Sequence, residues 1–197
     1  MNSSPQIIIL ATRNIGKVRE LKELLGSKWQ VQSLEDIGFT GEIEETGETF
    51  KENALIKART LFKKTGGFVL ADDSGLECDD LAGAPGVYSA RYAGPTASDE
   101  ENNLKLIEQL MGIHDANRMA RYVCALVLIK PDGLEFVVEE TCEGLITFSP
   151  SGSGGFGYDP YFYLPEYKCT MADLPPDEKN KISHRGKALN KILNAIK

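Results

Sequence analysis

Two short apolar runs are each followed at once by a polar segment, and this pattern constrains the fold more than any other feature. Residues 7–10 precede a polar turn at residues 12–17, and residues 68–71 precede the adjacent acids Asp72 and Asp73. Continuous apolar, β-branched runs of this length predict buried strands covered on both faces. Because ligands of open α/β sheets bind beyond the carboxyl ends of such strands, both polar segments are candidates for a binding site.

Four segments carry helix signals. The turn at residues 12–17 leads into a helix that is expected to end at Gly26. Capping boxes, in which Thr or Ser is followed three residues later by Glu, predict helices that begin near Thr49 and Ser98. The last helix carries apolar residues at helical spacing, namely Ala188, Ile192, Ala195 and Ile196.

A hairpin separates the middle helix signals from the last one. Pro131-Asp132-Gly133 predicts the turn between strands at residues 122–129 and 134–141, and a further strand is predicted at residues 145–148. Strand–helix units followed by a long antiparallel hairpin favour an α/β protein with a mixed sheet and two lobes over a pure Rossmann fold. We expect one domain over residues 1–197.

Composition limits the partners and the compartment. The net charge is −7, with 29 acids against 22 bases, which argues against a nucleic-acid-binding surface. The four cysteines include no Cys-x-x-Cys pair, so reduced thiols in a cytoplasmic protein are expected. No apolar run approaches the ~20 residues of a membrane span, and no signal peptide is recognised at the N-terminus. We therefore expect no membrane partner.

The turn before the first helix has the parts of a phosphate-binding loop. Lys17 is expected near a helix N-terminus, with Thr12 and Asn14 just before it. Backbone N–H groups at a helix N-terminus and one ammonium group suit an anion. The Walker A spacing is absent, and a solvated turn with a surface lysine is the alternative.

Paired carboxylates predict a site for a divalent cation. Glu44-Glu45 lies before the second helix, and Asp72-Asp73 follows a strand. Mg²⁺ favours one or two carboxylates together with water and substrate phosphates. Solvent-facing acids are the alternative, and it suits Glu45 better than the Asp72-Asp73 pair, which needs a cation nearby if it is partly buried.

Residues 152–160 hold four glycines, one phenylalanine and a final Asp-Pro. Glycine lets the backbone approach a ligand closely, so Phe156 is a candidate ring for stacking on a nucleobase. A phenylalanine of the core is the alternative. Lys179 and Arg185 offer further cationic donors, and two histidines in the whole chain exclude a multi-histidine metal site.

Six ordered segments together resemble the inosine/xanthosine triphosphate pyrophosphatase family, from about Ile7 to the last helix. They are residues 12–17, 44–47, 71–76, 83–92, 155–160 and 182–186. The resemblance implies an α/β protein with an elongated central mixed sheet and two lobes flanking a substrate groove. It implies Mg²⁺-dependent hydrolysis of the purine nucleoside triphosphates ITP, dITP and XTP to the monophosphate and pyrophosphate, and a homodimer.

The same resemblance assigns residues. Asp73 is the implied proton acceptor and a metal ligand, and Glu44 is the implied second metal ligand. The implied nucleotide contacts are Thr12, Arg13, Asn14, Ile15, Gly16, Lys17, Ser74, Phe156, Gly157, Tyr158, Asp159, Lys179, His184 and Arg185. Arg13 departs from the expected pattern, which has a small residue at this position.

Two other functions stay open at the level of sequence. One is a nucleoside triphosphate pyrophosphatase that prefers modified pyrimidines, which a substrate panel separates. The other is a nucleotide-binding sensor without turnover, against which the intact Lys17, Glu44 and Asp73 speak.

Overall fold

The computed structural model describes residues 5–195, so the predicted helical residue Ile196 lies outside it. Its strands are β1 (Gln6–Leu10), β2 (Trp29–Gln32), β3 (Phe68–Cys78), β4 (Met119–Ile129), β5 (Glu135–Ile146), β6 (Phe162–Leu164) and β7 (Cys169–Thr170). Its helices are α1 (Ile15–Leu25), α2 (Phe50–Thr65), α3 (Asp99–Met111), α4 (Pro176–Ile182) and α5 (His184–Ala195).

The described strands form one sheet in the order β2-β1-β3-β4-β5-β6-β7. β1 is parallel to both of its neighbours, and Ile8 lies in register with Val31 of β2 and Phe68 of β3. β6 is antiparallel to β5 and to β7. The sheet is therefore mixed, and the prediction of an α/β protein with a mixed sheet is confirmed.

The chain divides into two compact units, each made of several segments. Within the described range, the first unit comprises residues 5–73, 125–139 and 188–195. The second unit comprises residues 74–124 and 140–187. The chain passes from the first unit to the second between Asp73 and Ser74, inside β3. One domain with two lobes stays a prediction.

Helix ends in the first unit follow the signals in the sequence. Asn14 is the N-cap of α1, and its side chain accepts a hydrogen bond from the Lys17 backbone N–H. The Thr49 and Glu52 side chains form the expected capping box of α2, in which each satisfies a backbone N–H that the helix leaves without a partner. Gly26 ends α1, as predicted.

An aromatic pair joins β2 to β3 in the first unit. The ring of Trp29 meets the ring of Phe68 edge-to-face, with centroids 5.1 Å apart. This geometry is favoured because the positive edge of one ring faces the negative face of the other. Trp29 lies at the start of the edge strand β2, and this contact links it to Phe68 at the start of β3.

The second unit has its own apolar core. Leu76 of β3, Leu106 and Leu110 of α3, and Phe162 of β6 are all fully buried in it. The ring of Tyr122 on β4 packs against Phe162 with centroids 4.5 Å apart. α3 begins with the expected capping box, in which the side chains of Ser98 and Glu101 each accept a hydrogen bond from the backbone N–H of the other residue.

The strand that was predicted to end before Asp72 is longer than expected. β3 continues through both aspartates to Cys78, and Asp72 and Asp73 are only 1% and 6% exposed. The prediction that the pair lies at a strand end was wrong. Adjacent acids in isolation favour a turn, but here Lys17 and Lys57 neutralise them, and the strand continues.

Smaller differences also separate prediction from structure. The strand expected at residues 145–148 is the end of β5, which reaches Ile146. Four elements were not predicted from the sequence, namely β2, β6, β7 and α4. β2 is a half-buried strand without an apolar run, and β6, β7 and α4 span only 3, 2 and 7 residues. No helix in the described range is both long and apolar enough to cross a bilayer.

Phe162→Ala is expected to lower the free energy of unfolding by about 3–5 kcal/mol, because it leaves a cavity in the core of the second unit. Urea denaturation measures this change. Phe148→Ala is the control, since Phe148 is 39% exposed, and it should cost far less. Equal losses for the two variants would contradict the position of Phe162 at the centre of this core.

Candidate functional site

Acids and lysines of the first unit form a cluster, called here the carboxylate–lysine cluster and made of the buried residues Lys57, Asp72 and Asp73 and the half-buried residues Lys17 and Glu45. The Lys17 ammonium lies 2.5 Å from Asp72 Oδ1. The Lys57 ammonium lies 2.6 Å from Asp73 Oδ1 and 3.2 Å from Glu45 Oε1. Asp72 therefore pairs with Lys17, and Asp73 pairs with Lys57, a residue that no motif of the sequence singled out.

Strand geometry explains why the two adjacent acids have different partners. Successive side chains of a strand point to opposite faces, so Asp72 and Asp73 emerge on opposite sides of β3. Asp72 pairs with Lys17 in the first turn of α1, whereas Asp73 pairs with Lys57 in the middle of α2. Each carboxylate is neutralised by a helix on its own side.

Burial changes the protonation of the Asp73–Lys57 pair. Burial raises the pKa of Asp73 above its usual value, while the charges of Lys57 and Lys17 lower it less strongly. Burial lowers the pKa of Lys57, but the charges of Asp73 and Glu45 outweigh this and leave it raised. Lys57 therefore stays cationic at neutral pH, and Asp73 is a stronger base than an exposed aspartate.

Asp73 also has a polar atom that the protein leaves unsatisfied. Its Oδ2 is buried and accepts no hydrogen bond from any residue in the described range, whereas its Oδ1 accepts one from Lys57. A buried carboxylate oxygen without a partner is costly unless a ligand, water or cation completes it. The atom is suited to bind a water molecule or a divalent cation.

The donor set of the cluster fits Mg²⁺. Among the described residues, no group of three or more His, Cys, Asp or Glu side chains is arranged as a complete metal site. Mg²⁺ does not require one, because it is commonly held by one or two carboxylates plus water and phosphate oxygens. Glu44 is exposed, and its assignment as a metal ligand stays a prediction. Its neighbour Glu45 is the acid that contacts Lys57.

The turn before α1 is ordered by its own side chains. The Asn14 backbone N–H donates to Thr12 Oγ1 over 3.2 Å, and Asn14 Oδ1 accepts from the Lys17 N–H over 3.0 Å. Ile15 is 85% exposed at the first position of the helix. Thr12 and Asn14 thus shape the turn, and direct contacts of residues 12–17 with a nucleotide stay a prediction.

Arg13, which departed from the expected pattern, bonds to the segment that precedes Glu44 and Glu45. Its Nη2 donates to the carbonyl oxygens of Phe39 and Gly41 over 3.3 Å and 2.8 Å. The Lys64 ammonium lies over the Phe39 ring, 4.6 Å from the ring centroid. Arg13 therefore links the turn before α1 to the segment that carries these acids.

A second group of side chains, called here the Phe156 cluster, lies in the second unit and consists of Phe156, Asp159, Lys179, Arg185 and Ser74. The Phe156 ring centroid lies 5.5 Å from the Lys179 ammonium and 5.6 Å from the Arg185 guanidinium carbon. Arg185 Nη2 donates to Ser74 Oγ over 2.8 Å. Ser74, Phe156, Asp159 and Arg185 come from three separate motifs of the sequence, Lys179 lies just before the last of them, and the fold brings all five together.

Asp159 is the centre of this cluster. Its Oδ2 accepts from the Lys179 ammonium over 2.7 Å and from the Phe156 N–H over 3.0 Å. Its Oδ1 accepts from the Tyr122 hydroxyl over 3.1 Å, and the residue is 3% exposed. Asp159 thus anchors the glycine-rich loop, and its contact with a base or ribose stays a prediction.

A close approach of backbone to side chain explains the glycine before Phe156. Gly155 has a φ of +75°, and a Cβ added to it would lie 1.9 Å from Asp159 Oδ2. Any side chain here would displace Asp159 from Lys179. The glycine density of this loop therefore serves its internal contacts as well as any ligand.

His184 and Tyr158 lie at the edge of this region and are both buried. The imidazole of His184 stacks on the Tyr122 ring with centroids 4.6 Å apart and an interplanar angle of 12°. The Tyr158 hydroxyl donates to the Ser89 carbonyl over 2.8 Å, and burial raises its pKa far above the usual range of tyrosine. Tyr158 therefore stays protonated and serves as an anchor of the loop.

One signal in the sequence could have revealed Lys57. It lies among Ala54, Ala58 and Leu61, all fully buried on α2, and is itself only 7% exposed. A lysine on the apolar face of an amphipathic helix is unusual and predicts a buried acidic partner. All four cysteines, by contrast, are reduced thiols, as expected from their spacing.

The fold and the carboxylate–lysine cluster define an α/β protein with a buried acidic pair held by lysines. A family model described as the Ham1 family matches residues 8–195. The dITP/XTP pyrophosphatase of Bacillus licheniformis is 53% identical over 186 residues, covering 94% of this chain and 95% of that protein. The dITP/XTP pyrophosphatase of Bacillus subtilis is 51% identical over 185 residues, covering 93% of each.

Solved structures agree with these sequence matches. The Staphylococcus aureus Ham1 protein has a TM-score of 0.85 and 39% identity, covering 98% of this chain and 100% of that one. A HAM1 protein from Coxiella burnetii has a TM-score of 0.86 and 42% identity, covering 97% and 98%. The chain belongs to the Ham1 family, and the resemblance seen in its motifs is confirmed.

Lys57→Met should lower the free energy of unfolding by about 3–5 kcal/mol, because removing one partner of a buried ion pair leaves the other charge uncompensated. Lys51→Met is the matched control, since Lys51 is exposed on the same helix. Chemical denaturation of both variants at neutral pH measures the difference. A Lys57 variant as stable as the control would show that Asp73 does not depend on this lysine.

Proposed function

We propose that the protein is a Mg²⁺-dependent nucleoside triphosphate pyrophosphatase that hydrolyses the deaminated purine nucleotides ITP, dITP and XTP to the monophosphate and pyrophosphate, and so clears them from the nucleotide pool. The observation that carries the proposal is Asp73, a buried carboxylate with a raised pKa, a lysine on one oxygen and no partner on the other. The names of the B. licheniformis and B. subtilis relatives support the same activity.

The carboxylate–lysine cluster and the start of α1 are the groups proposed for the triphosphate. Lys17 and the N-terminus of α1 offer positive charge and backbone N–H groups to the phosphates. Bound Mg²⁺, held by Asp73 and Glu44, would neutralise phosphate charge and lower the pKa of a coordinated water. Asp73 accepts the proton of the water whose oxygen attacks the α-phosphorus. The bond from that phosphorus to the bridging oxygen breaks, and pyrophosphate leaves with both electrons.

Lys57 has a distinct role in this scheme. It holds Asp73 Oδ1 and so leaves Oδ2 as the oxygen available for the water or the cation. It also compensates the added negative charge of Glu45, which lies 3.2 Å away. Positioning and charge stabilisation of this kind account for most of the rate in phosphoryl chemistry.

The Phe156 cluster is the group of residues proposed for the purine. We assign base stacking to Phe156, whose ring lies beside Lys179 and Arg185. Donors from Arg185 or His184 suit the 6-oxo group of hypoxanthine and xanthine, whereas adenine presents an amino group there. A donor that meets another donor stays unsatisfied, which costs about 1–3 kcal/mol. Sites built on such bonds discriminate strongly.

Compartment and assembly complete the proposal. Four reduced thiols suit a reducing compartment, and we propose that the enzyme works in the cytoplasm. A homodimer is proposed from the family resemblance. Tyr88 is 60% exposed, which suits a role in the subunit contact. The net charge of −7 continues to argue against nucleic acid as a substrate.

Pyrophosphate release from ITP is the decisive measurement. The wild-type protein should release pyrophosphate and IMP with Mg²⁺ and lose this activity when the metal is chelated. Asp73→Asn should lower kcat at least about 100-fold, because the variant lacks the proton acceptor. Asp132→Asn makes the same chemical change in the exposed hairpin turn and should retain full activity. Orthophosphate as the product, or a fully active Asp73→Asn enzyme, would overturn the assignment.

Base selectivity is tested with a panel of triphosphates. ITP and XTP should exceed ATP in kcat/KM by at least about 100-fold, the range reached by sites that hydrogen-bond a substrate group. GTP shares the 6-oxo group, so its rejection requires a mismatch at the 2-amino group. Equal kcat/KM for GTP and ITP would rule out such a mismatch, and preference for modified pyrimidines would replace the proposed substrate class.

A further inference from the structure

Two side chains near the start of α3 bind both polar backbone groups of Gly157. The Asp99 carboxylate accepts from the Gly157 N–H over 2.7 Å, and Asn103 Nδ2 donates to the Gly157 carbonyl over 2.9 Å. Asp99 and Asn103 are 58 and 54 residues away along the chain, and all three lie in the second unit. We call this pair of contacts the Gly157 clamp.

The two clamp residues, Asp99 and Asn103, are held in position by their places on α3. They stand four positions apart on α3, so they share one face of the helix. Asn103 is 4% exposed, and its Nδ2 also donates to the Asp99 carbonyl over 2.8 Å. Because both partners of Nδ2 are carbonyl oxygens, the orientation of the Asn103 amide is determined by its surroundings. The capping box of Ser98 and Glu101 fixes the turn from which both side chains project.

The clamp restrains the two peptide planes next to Phe156. A planar peptide unit links Phe156 to Gly157, and Asp99 binds its N–H. The next peptide unit links Gly157 to Tyr158, and Asn103 binds its carbonyl. Gly157 has a φ of +63°, and a glycine at this position is otherwise free to adopt many conformations. The loop therefore owes its backbone conformation here to two side chains of α3.

We propose that Asp99 and Asn103 are positioning residues for base selectivity. They hold Phe156 in the one orientation in which a stacked purine presents its 6-position to the donors of the Phe156 cluster. This inference rests on the proposed function. A loop that is already ordered binds without further loss of conformational entropy, so the clamp favours the purine whose 6-substituent matches the donors.

The neighbouring residue Asn102 makes different contacts from those of Asn103. Asn102 is 2% exposed and adjacent to Asn103, yet it binds a different segment. Its Oδ1 accepts from the Ala93 N–H over 2.8 Å, and its Nδ2 donates to the Ala90 carbonyl over 3.3 Å. Both asparagines tie α3 to another part of the unit, but only Asn103 contacts the loop that carries Phe156.

The first experiment compares four proteins in kcat/KM for ITP and for ATP: the wild type, Asp99→Ala, Asp99→Asn and Glu100→Ala. Asp99→Ala should reduce the ITP-to-ATP ratio by about tenfold, the effect of losing one hydrogen bond to a charged group. Asp99→Asn keeps an oxygen that can accept from Gly157 and should restore most of the ratio. Glu100→Ala removes an acid from the same exposed turn and should leave the ratio unchanged.

A variant of Asn103 tests the other half of the clamp. Asn103→Leu keeps the approximate volume and removes the donor, and Asn102→Leu is its matched control for a lost buried amide. The control should lower the midpoint of urea denaturation as much as Asn103→Leu does, yet keep the wild-type ITP-to-ATP ratio. If Asn103→Leu fails to fold, the Asp99 series alone decides. A ratio that stays at the wild-type value in Asp99→Ala would overturn the proposal.

Amide hydrogen exchange gives a readout that needs no catalysis. In Asp99→Ala, exchange at Gly157 should be about tenfold faster than in the wild type, since an amide that loses its acceptor opens more readily. Unchanged exchange would overturn the clamp itself. A wild-type protein that does not hydrolyse ITP would defeat the proposed function, while the exchange measurement would still report on the clamp. Faster exchange with unchanged selectivity would show that the clamp does not serve base choice.

Discussion

The neutralisation of two adjacent buried acids underlies the first unit. Asp72 and Asp73 occupy the interior of β3, where isolated carboxylates would be severely destabilising. Lys17 and Lys57 approach them from two different helices, so the strand can continue through the pair into the second unit. Burial at this position raises the pKa of Asp73 against the opposing charges of the two lysines, and its Oδ2 has no hydrogen-bond partner among the described residues. Structural tolerance and chemical reactivity at this position therefore have one physical origin.

Local signals in the sequence were sufficient for much of the fold. Capping boxes at Thr49 and Ser98, the stop at Gly26 and the Pro-Asp-Gly hairpin depend on contacts within a few residues. The length of β3 could not be predicted in this way, because it depends on lysines from distant helices. β2 was missed for a similar reason: its pairing with β1 supplies stability that its own sequence pattern does not show.

The candidate site followed the same division. Motifs identified Lys17, Asp73 and Phe156, since each lies in a polar or glycine-rich segment. Lys57 and the clamp residues of α3 lie in ordinary helical sequence, and only their tertiary partners reveal them. Asp159 was singled out for the ligand, but the structure shows it holding three protein donors. A side chain can thus be essential to a binding loop through its role inside the protein.

The edge-to-face contact of Trp29 with Phe68 gives the first unit an intrinsic optical label. The chain has a single tryptophan, so its fluorescence arises from one environment in β2. The ring of this tryptophan contacts Phe68 of β3, the strand that carries Asp72 and Asp73. Tyrosines such as Tyr122 and Tyr158 lie in the second unit. Selective excitation of the indole therefore follows the melting of one unit, and comparison with far-ultraviolet dichroism reveals whether the two units lose their structure together or in sequence.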